Sequence, residues 1–559
     1  MKFVYSRYSI PEKEKNLERF LEIVPGFLSW SIIIGMAILS FASPVAAAVI
    51  MIAFILYWVL RLLYMNIFLT LSYLRLAIDK GTDWMKCVED VDRRQMVSEG
   101  WFTQLEKKFL TGFTQDSNFK VRIKHKISAL IRRGQLETLK KSGLFPPASK
   151  DIYHLVIITV ILEPREVIEP GLVGIKKGSY PSARILVVIA MEDSASAEVK
   201  NDMEALQKQY NSDFLDCLVV THPNNIEGEA RVKGANASYA ARRAAAYFAA
   251  REIPYENIIV SCFDADSVPR PDYFSCLTYH FMVTPGRTAA SYQPIPVYHN
   301  NIWEVPSFAR IIDIGTSFFQ LIEATNPRKL VTFSSHSMSF KALVDVGYWP
   351  VDMISDDSAI FWKALIHYDG NYRAIPMYTT VSMDIATGGT FFKTFSNIYR
   401  QKRRWAWGVE NFPIVIRAFI KNRRIPLYDR FSYSCKLLDA FVSWATWSFL
   451  LAFVSWLPAL FAGKEFASTT VYYIAPRIQG AIFVLASFGV VVCMIISLRL
   501  LPKEKAGDDL SKRLVHVLEW FSIPFIVLFL SAIPALDAQT RLLFGRYMEF
   551  WVTEKSRNK

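Results

Sequence analysis

NIIVSCFDAD, residues 257–266, is an apolar run of strand length that stops on two carboxylates, Asp264 and Asp266. Apolar runs of four to eight residues rich in Val and Ile read as strands buried on both faces. Three more precede it: HLVIITVIL (154–162), ARILVVIAM (183–191) and FLDCLVV (214–220). Between the runs lie helical patterns such as GANASYAARRAAAYFAAREI (234–253). Strand and helix in alternation predict βαβ units and an α/β domain. In such sheets ligands sit beyond the carboxyl ends of the strands, so acids directly after apolar runs are the first site candidates. Glu192, Asp193, Asp264 and Asp266 hold that position.

Outward from this domain the chain becomes membrane-like. It has 559 residues, of which 52% are hydrophobic and 14% aromatic, too rich for a wholly soluble protein of that length. SWSIIIGMAILSFASPVAAAVIMIAFILYWVL (29–60) predicts two spanning helices within 27–74, with Ser43-Pro44 at the turn. Positive residues on both flanks place their outer ends in the cytoplasm. The first 26 residues mix Lys2, Arg7, Lys13, Lys15 and Arg19 with acids, unlike a secretory leader. Residues 75–150, with VRIKHKISALIRRGQLETLKK (121–141), read either as basic amphipathic helices on an anionic leaflet or as solvated helices on the next domain. Past residue 405, WGVENFPIVIRAFIKNRR (407–424) predicts an interfacial helix over 406–430. Three apolar segments follow, near 437–461, 478–498 and 515–533, with one re-entrant or a further crossing through 535–551 to keep the basic tail (Arg541, Arg546, Lys555, Arg557, Lys559) inside. The net charge of +13 suits an anionic membrane or phosphate-bearing substrates better than nucleic acid in so apolar a chain. Six scattered cysteines form no CxxC pair and read as reduced thiols.

Moving a sugar from a nucleotide diphosphate requires neutralising the leaving group, deprotonating an acceptor hydroxyl and holding both in line. Asp264 and Asp266, two residues apart after a strand, are hard oxygen donors of the kind Mg2+ or Mn2+ accepts together with phosphate oxygens, although alone they also fit a solvated turn. Asp357, after Ser355 and Asp356 and before the apolar helix AIFWKAL (359–365), is placed as a general base or, in the commoner alternative, an N-cap. QKRRW (401–405) supplies an amide in Gln401, a guanidinium in Arg404 and an aromatic face in Trp405, or else a basic run snorkelling at a membrane surface.

In order, FDAD (263–266), ISDD (354–357) and QKRRW resemble the motifs of membrane-integrated family 2 glycosyltransferases of the cellulose synthase and hyaluronan synthase type, over roughly residues 150–410. The resemblance implies a nucleotide-sugar-binding, glycosyltransferase A-type (Rossmann-like) α/β domain over 151–405, inserted between N- and C-terminal transmembrane helices, the latter within 431–559. It implies that FDAD is the metal-binding DxD, that Asp357 is the catalytic base, and that Gln401, Arg404 and Trp405 hold diphosphate and line the acceptor site. By the same likeness Glu163 (in VILEPRE), Glu192 or Asp193 (in IAMEDSA), and Lys233 and Asn236 (in KGANASYA) fall near the nucleotide. SSHSMSF (334–340) stands where an acceptor loop is expected, making His336 and Asp356 acceptor candidates. The chain departs from the pattern in Leu162 before Glu163 and in SDD for TED, which leaves acceptor identity open.

The function so implied is an inverting, metal-dependent transferase in the cell membrane, its catalytic domain cytoplasmic. It would move a sugar, UDP-linked by expectation, to a growing polysaccharide, with export as an option. Single transfer to a membrane lipid is the alternative within the class. A transporter or receptor with a nucleotide-binding module is the alternative outside it, although no GxxxxGK[ST] loop is present. Donor sugar, linkage, oligomeric state and accessory proteins stay open. TGGTFFK (387–393) reads as a mobile loop over the site or as a plain turn.

Overall fold

The computed structural model describes residues 3–95, 119–461, 470–502 and 510–551. Part of the expected basic region (96–118) and the tail positions Lys555, Arg557 and Lys559 lie outside the described residues.

The centre is a mixed eight-stranded sheet in the order β3-β2-β1-β4-β7-β6-β8-β5. The strands are β1 Tyr153–Val160, β2 Ile185–Glu192, β3 Asp216–His222, β4 Ile258–Asp264, β5 Val268–Pro269, β6 Ala290–Val297, β7 His336–Ser339 and β8 Arg373–Ser382. The four apolar runs of the sequence are β1 to β4, and they pair in parallel. Helices cover both faces, which is why Leu155 to Ile158 and Leu186 to Ile189 are buried without alternation. The order reverses between β1 and β4, and a crevice opens there at the carboxyl ends of the strands.

β7 breaks the parallel pattern by running antiparallel to both β4 and β6. Its residues, HSMS, had been expected in a loop because Ser and His are poor strand signals. They tolerate the sheet interior because the hydroxyls satisfy one another: Ser337 Oγ lies 2.6 Å from Ser261 Oγ and 2.8 Å from the Tyr273 hydroxyl. The fold is thus a mixed-sheet α/β arrangement, with apolar helices before and after it.

Before the sheet, helices Lys15–Ala42 and Pro44–Asp79 meet at Ser43. The first begins well ahead of residue 27, and its opening turns are polar, with Glu18 2.7 Å from Arg417 of the helix Asn411–Lys421. After the sheet, helix Leu427–Ala452 bends by 42° into Val454–Leu460. Thr470–Leu500 and the broken helix Val515–Leu543 follow. Among the described residues, three helices are long and apolar enough to cross a membrane (Glu12–Ala42, Pro44–Asp79 and Val515–Leu543), or four if the bent pair is one span. The stretch expected at an interface forms the helix Asn411–Lys421, whose Phe412, Val415 and Phe419 are buried in the core beneath the sheet. Its Arg417 is enclosed as well, 3.0 Å from Glu14 and 2.7 Å from Glu18.

Candidate active site

In-register pairing of β1 with β4 sets Thr159 opposite Asp264, so the two strands deliver their ends to one place. Asp264 Oδ1 lies 2.8 Å from Lys233 Nζ, and its Oδ2 accepts a hydrogen bond from Ser334 Oγ at 2.9 Å. Asp266 is fully buried, with Oδ2 accepting the Asp384 N–H at 2.7 Å. Lys233 opens the helix Lys233–Ala249 and also reaches Asp357 Oδ1 at 3.0 Å. One ammonium therefore joins the first acid of FDAD to the last acid of ISDD. Burial works against the charge of Lys233, but Asp264 and then Asp357 outweigh it and raise its pKa. Beside it, a Cβ on Gly234 would stand 2.4 Å from the Pro350 carbonyl oxygen, so only glycine lets the helix approach this closely.

Asp356 and Asp357 form the first turn of the helix Asp356–His367, where the helix dipole favours negative charge. Ser355, not Asp357, is the N-cap, and the Asp357 carboxylate turns to Lys233 instead. Asp356 is buried, and that burial, followed by the adjacent Asp357, pushes its carboxyl far above the usual range. On the opposite wall the helix Phe391–Ala406 carries Gln401, Arg404 and Trp405 into the cleft. The Trp405 indole meets Phe333 edge-on at 5.5 Å and Tyr298 at 6.4 Å, while Lys402 Nζ lies 3.7 Å from its ring centre. The Arg404 guanidinium stands 5.0 Å over the Phe550 ring.

The cleft therefore brings together Glu163, Lys233, Asn236, Asp264, Asp266, Asp356, Asp357, Gln401, Arg404 and Trp405. Gln401 Oε1, Asn236 Oδ1 and Asp356 Oδ2 are buried there without a hydrogen-bond partner among the described residues. Glu192, Asp193 and His336 are not in its lining. Glu192 ends β2, two strands from β4 and so roughly 10 Å along the sheet. Its carboxylate pairs with His222 at 3.0 Å, and Asp193 pairs with Lys200 at 3.1 Å. His336 is enclosed in β7, donating from Nδ1 to the Ser334 carbonyl at 2.8 Å, and burial lowers its pKa. Sequence reasoning missed Asp384, Tyr298, Thr332 and Phe550 in the lining. Asp384 lies two residues past the end of β8 and obeys the same acid-after-strand rule, but PMYTTVS (376–382) is too mixed to read as a buried strand. Phe550 arrives from the far end of the chain and carries no local signal.

Residues 259–497 match the family model described as "Glycosyl transferase family group 2". Over less than half of its length, the chain is thus similar to family 2 glycosyltransferases. Curated proteins similar to this chain include a poly-beta-1,6-N-acetyl-D-glucosamine synthase from Staphylococcus epidermidis, 25% identical over 272 residues, 47% of this chain and 56% of the relative. A Staphylococcus aureus enzyme of the same name is 28% identical over 178 residues, 30% of this chain and 39% of the relative. The chain thus spans about half the length, or less, of these relatives. Among solved structures, the mannosyltransferase PcManGT from Pyrobaculum calidifontis in complex with GDP-Man and Mn2+ is 15% identical, with 66% of this chain and 95% of that one covered and a TM-score of 0.36. S. aureus TarS 1-349 in complex with UDP is 10% identical, with 72% and 94% covered and a TM-score of 0.33. Scores this low carry no argument, and the fold rests on the strand order.

The donor set of the cleft suits a hard divalent ion. Asp264 and Asp266 are carboxylates, and Mg2+ commonly takes one or two such ligands plus substrate phosphates and water. Among the described residues no group of three or more His, Cys, Asp or Glu is arranged as an all-protein metal cage.

Proposed function

We propose that this domain transfers a sugar, with inversion, from a nucleotide-diphosphate sugar to a growing polysaccharide at the membrane. The observation that carries the reading is the Lys233 bridge, because it sets the diphosphate end of the cleft and the acceptor base within one ammonium of each other, at 2.8 and 3.0 Å. The relatives are named for a polymer of N-acetylglucosamine, which makes UDP-GlcNAc the first donor to test.

Asp264 and Asp266 would hold Mg2+ or Mn2+, which when bound neutralises charge on the leaving diphosphate. Arg404 and Lys233 add fixed positive charge beside that diphosphate. Trp405, flanked by Phe333 and Tyr298, offers its face to a sugar ring. Asp357 accepts the proton of the acceptor hydroxyl as that oxygen attacks the anomeric carbon and the nucleotide diphosphate leaves from the opposite side. No covalent sugar–enzyme intermediate forms. Glu163 and Asn236 face the donor, while Glu192 and Asp193, at the end of β2, are placed for the base or ribose of an extended nucleotide. Asp356, whose Oδ2 has no hydrogen-bond partner among the described residues, offers that oxygen to a sugar hydroxyl. His336 supports the Ser334 loop from below. The domain faces the cytoplasm, where nucleotide sugars are made, on a multi-pass anchor with Lys and Arg at its flanks.

Membranes bearing the protein should release UDP from UDP-GlcNAc and build a product ladder. Absence of release across UDP- and GDP-sugars would exclude the reaction, and a single lipid-soluble product would replace polymer synthesis with one transfer to a lipid. Asp357→Asn should lower turnover about 10² to 10⁴-fold while donor binding persists. Turnover near wild type in that variant would remove Asp357 as the base.

A further inference from the structure

The loop that presents Asp357 is held by a buried carboxylate lying nine residues beyond Gln401, outside the QKRRW motif. Glu410 Oε1 accepts hydrogen bonds from the Ile354 N–H at 3.1 Å, the Ser355 N–H at 3.0 Å and the Ser355 hydroxyl at 2.7 Å. Its Oε2 accepts from Trp407 Nε1 at 2.8 Å and lies 3.7 Å from the Arg7 guanidinium. Glu410 is only 3% exposed, so these donors are its whole solvation. The neighbouring Asn411 repeats the arrangement, donating to Ser355 Oγ at 2.8 Å while its own Oδ1 accepts from the Tyr5 hydroxyl at 2.6 Å. Asp352, at the other end of the loop, accepts from Ser6 Oγ at 2.5 Å and the Arg7 N–H at 2.9 Å. Two backbone amides just ahead of the helix Asp356–His367 thus end on one side chain, and residues 5–7 support it from behind.

We infer that Glu410, backed by Arg7, is a positioning residue that fixes Asp357 against the acceptor hydroxyl. Ser355 is the N-cap, so the two hydrogen bonds to its N–H and hydroxyl set where the first helical turn begins. Asp357 lies two residues on, and a displacement of about 1 Å at such a group costs up to about a hundredfold in rate. The inference rests on the transferase reading above for the role of Asp357, but the hydrogen bonds can be tested without it.

Two conservative variants separate positioning from simple charge balance. Glu410→Asp keeps the charge opposite Arg7 but withdraws the acceptor from the two amides by one methylene. Glu410→Gln keeps the reach and gives up the charge. In the full-length membrane protein, positioning predicts that Glu410→Asp speeds deuterium exchange in peptides spanning 352–357. It also predicts about a ten- to hundredfold loss of kcat for UDP release from UDP-GlcNAc, with KM within about threefold. Glu410→Gln should stay closer to wild type in both readouts. The opposite order, Gln worse than Asp, would assign Glu410 to charge balance and overturn the inference, as would unchanged exchange in Glu410→Asp or a loss seen only in KM. If the wild-type protein releases no nucleotide, the transferase reading falls, and the exchange arm still decides whether Glu410 holds the loop.

Discussion

Lys233 carries more of the site's electrostatics than any single acid. Three carboxylates, Asp264, Asp356 and Asp357, perturb it, and two of them are within 3.0 Å. Removing the ammonium leaves those acids facing one another with no cation between them. Breaking a fully buried pair costs about 3–5 kcal/mol; with side-chain exposures of 24% and 28% for Asp264 and Asp357, we expect Lys233→Met to cost about 2 kcal/mol. On the proposed reading it should also weaken nucleotide binding, because the same charge would face the diphosphate. Thermal unfolding and UDP titration check this, and an unchanged melting temperature with unchanged UDP affinity would deny Lys233 the bridging role. Lys233 was visible in the sequence only through KGAN at a helix start; that it joins FDAD to ISDD was not, because the three segments meet only once β4 is paired and the helix Lys233–Ala249 is docked.

At the scale of elements, the helix Phe391–Ala406 is tied down by an ion pair between its own Lys402 and a neighbouring helix. Lys402 and Asp313 are 3% and 0% exposed in their side chains, with Nζ and Oδ1 2.6 Å apart. Burial lowers the pKa of Lys402 and raises that of Asp313, so each is held charged mainly by the other. The pair ties this helix to Ser307–Glu323 and sets the ammonium against the face of Trp405. Lys402→Met should lose about 3–5 kcal/mol by stranding the Asp313 charge, whereas Lys402→Met with Asp313→Leu should recover most of that. Both forms should bind the acceptor more weakly, since Trp405 loses its cation in each. A double-mutant cycle on unfolding measures the coupling, and additive losses would dissolve it. β1 to β4 were legible as strands because burial on both faces leaves uninterrupted apolar runs. β7 and β8 were not, because their polar residues are satisfied inside the sheet or face alternately outward. Glu192 was placed correctly at a strand end, yet strand order, which sequence periodicity does not encode, sets it two strands from Asp264.

Across the whole molecule, a helix near each end of the chain packs against the other. Ser29 donates to Gln539 Oε1 at 2.6 Å and Trp30 to Thr540 Oγ1 at 2.9 Å, and a Cβ on Gly26 would meet the Gln539 carbonyl oxygen at 2.7 Å. Hydropathy shows such helices one at a time and is silent on which of them touch, so Phe550 in the cleft had no precursor in the sequence reading. The core between sheet and helices makes a prediction of its own. His154 on β1 and His280 on the helix Tyr273–Val283 are enclosed, and burial drives each from an ordinary value down to about 3. An unfolded histidine titrates near pH 6.5, so between about pH 6.5 and 3 the unfolded state binds more protons than the native one. Stability supplied by the neutral rings is therefore full above pH 6.5 and is lost as the pH falls, by about 1.2 kcal/mol for each histidine between pH 7 and 5.5. Carboxyls with raised pKa values, such as Asp356 and Glu410, act with the opposite sign, so the total slope does not isolate the histidines. The difference between two proteins does. His280 packs among Trp84 and Tyr279, and its Nε2 has no hydrogen-bond partner among the described residues, so His280→Phe replaces it with little polar loss. Relative to wild type, that variant should gain about 1.2 kcal/mol in denaturant unfolding at pH 5.5 over its difference at pH 7. Parallel pH dependences in the two proteins would show that His280 protonates as readily in the fold as in the unfolded chain, against its enclosure by aromatic rings.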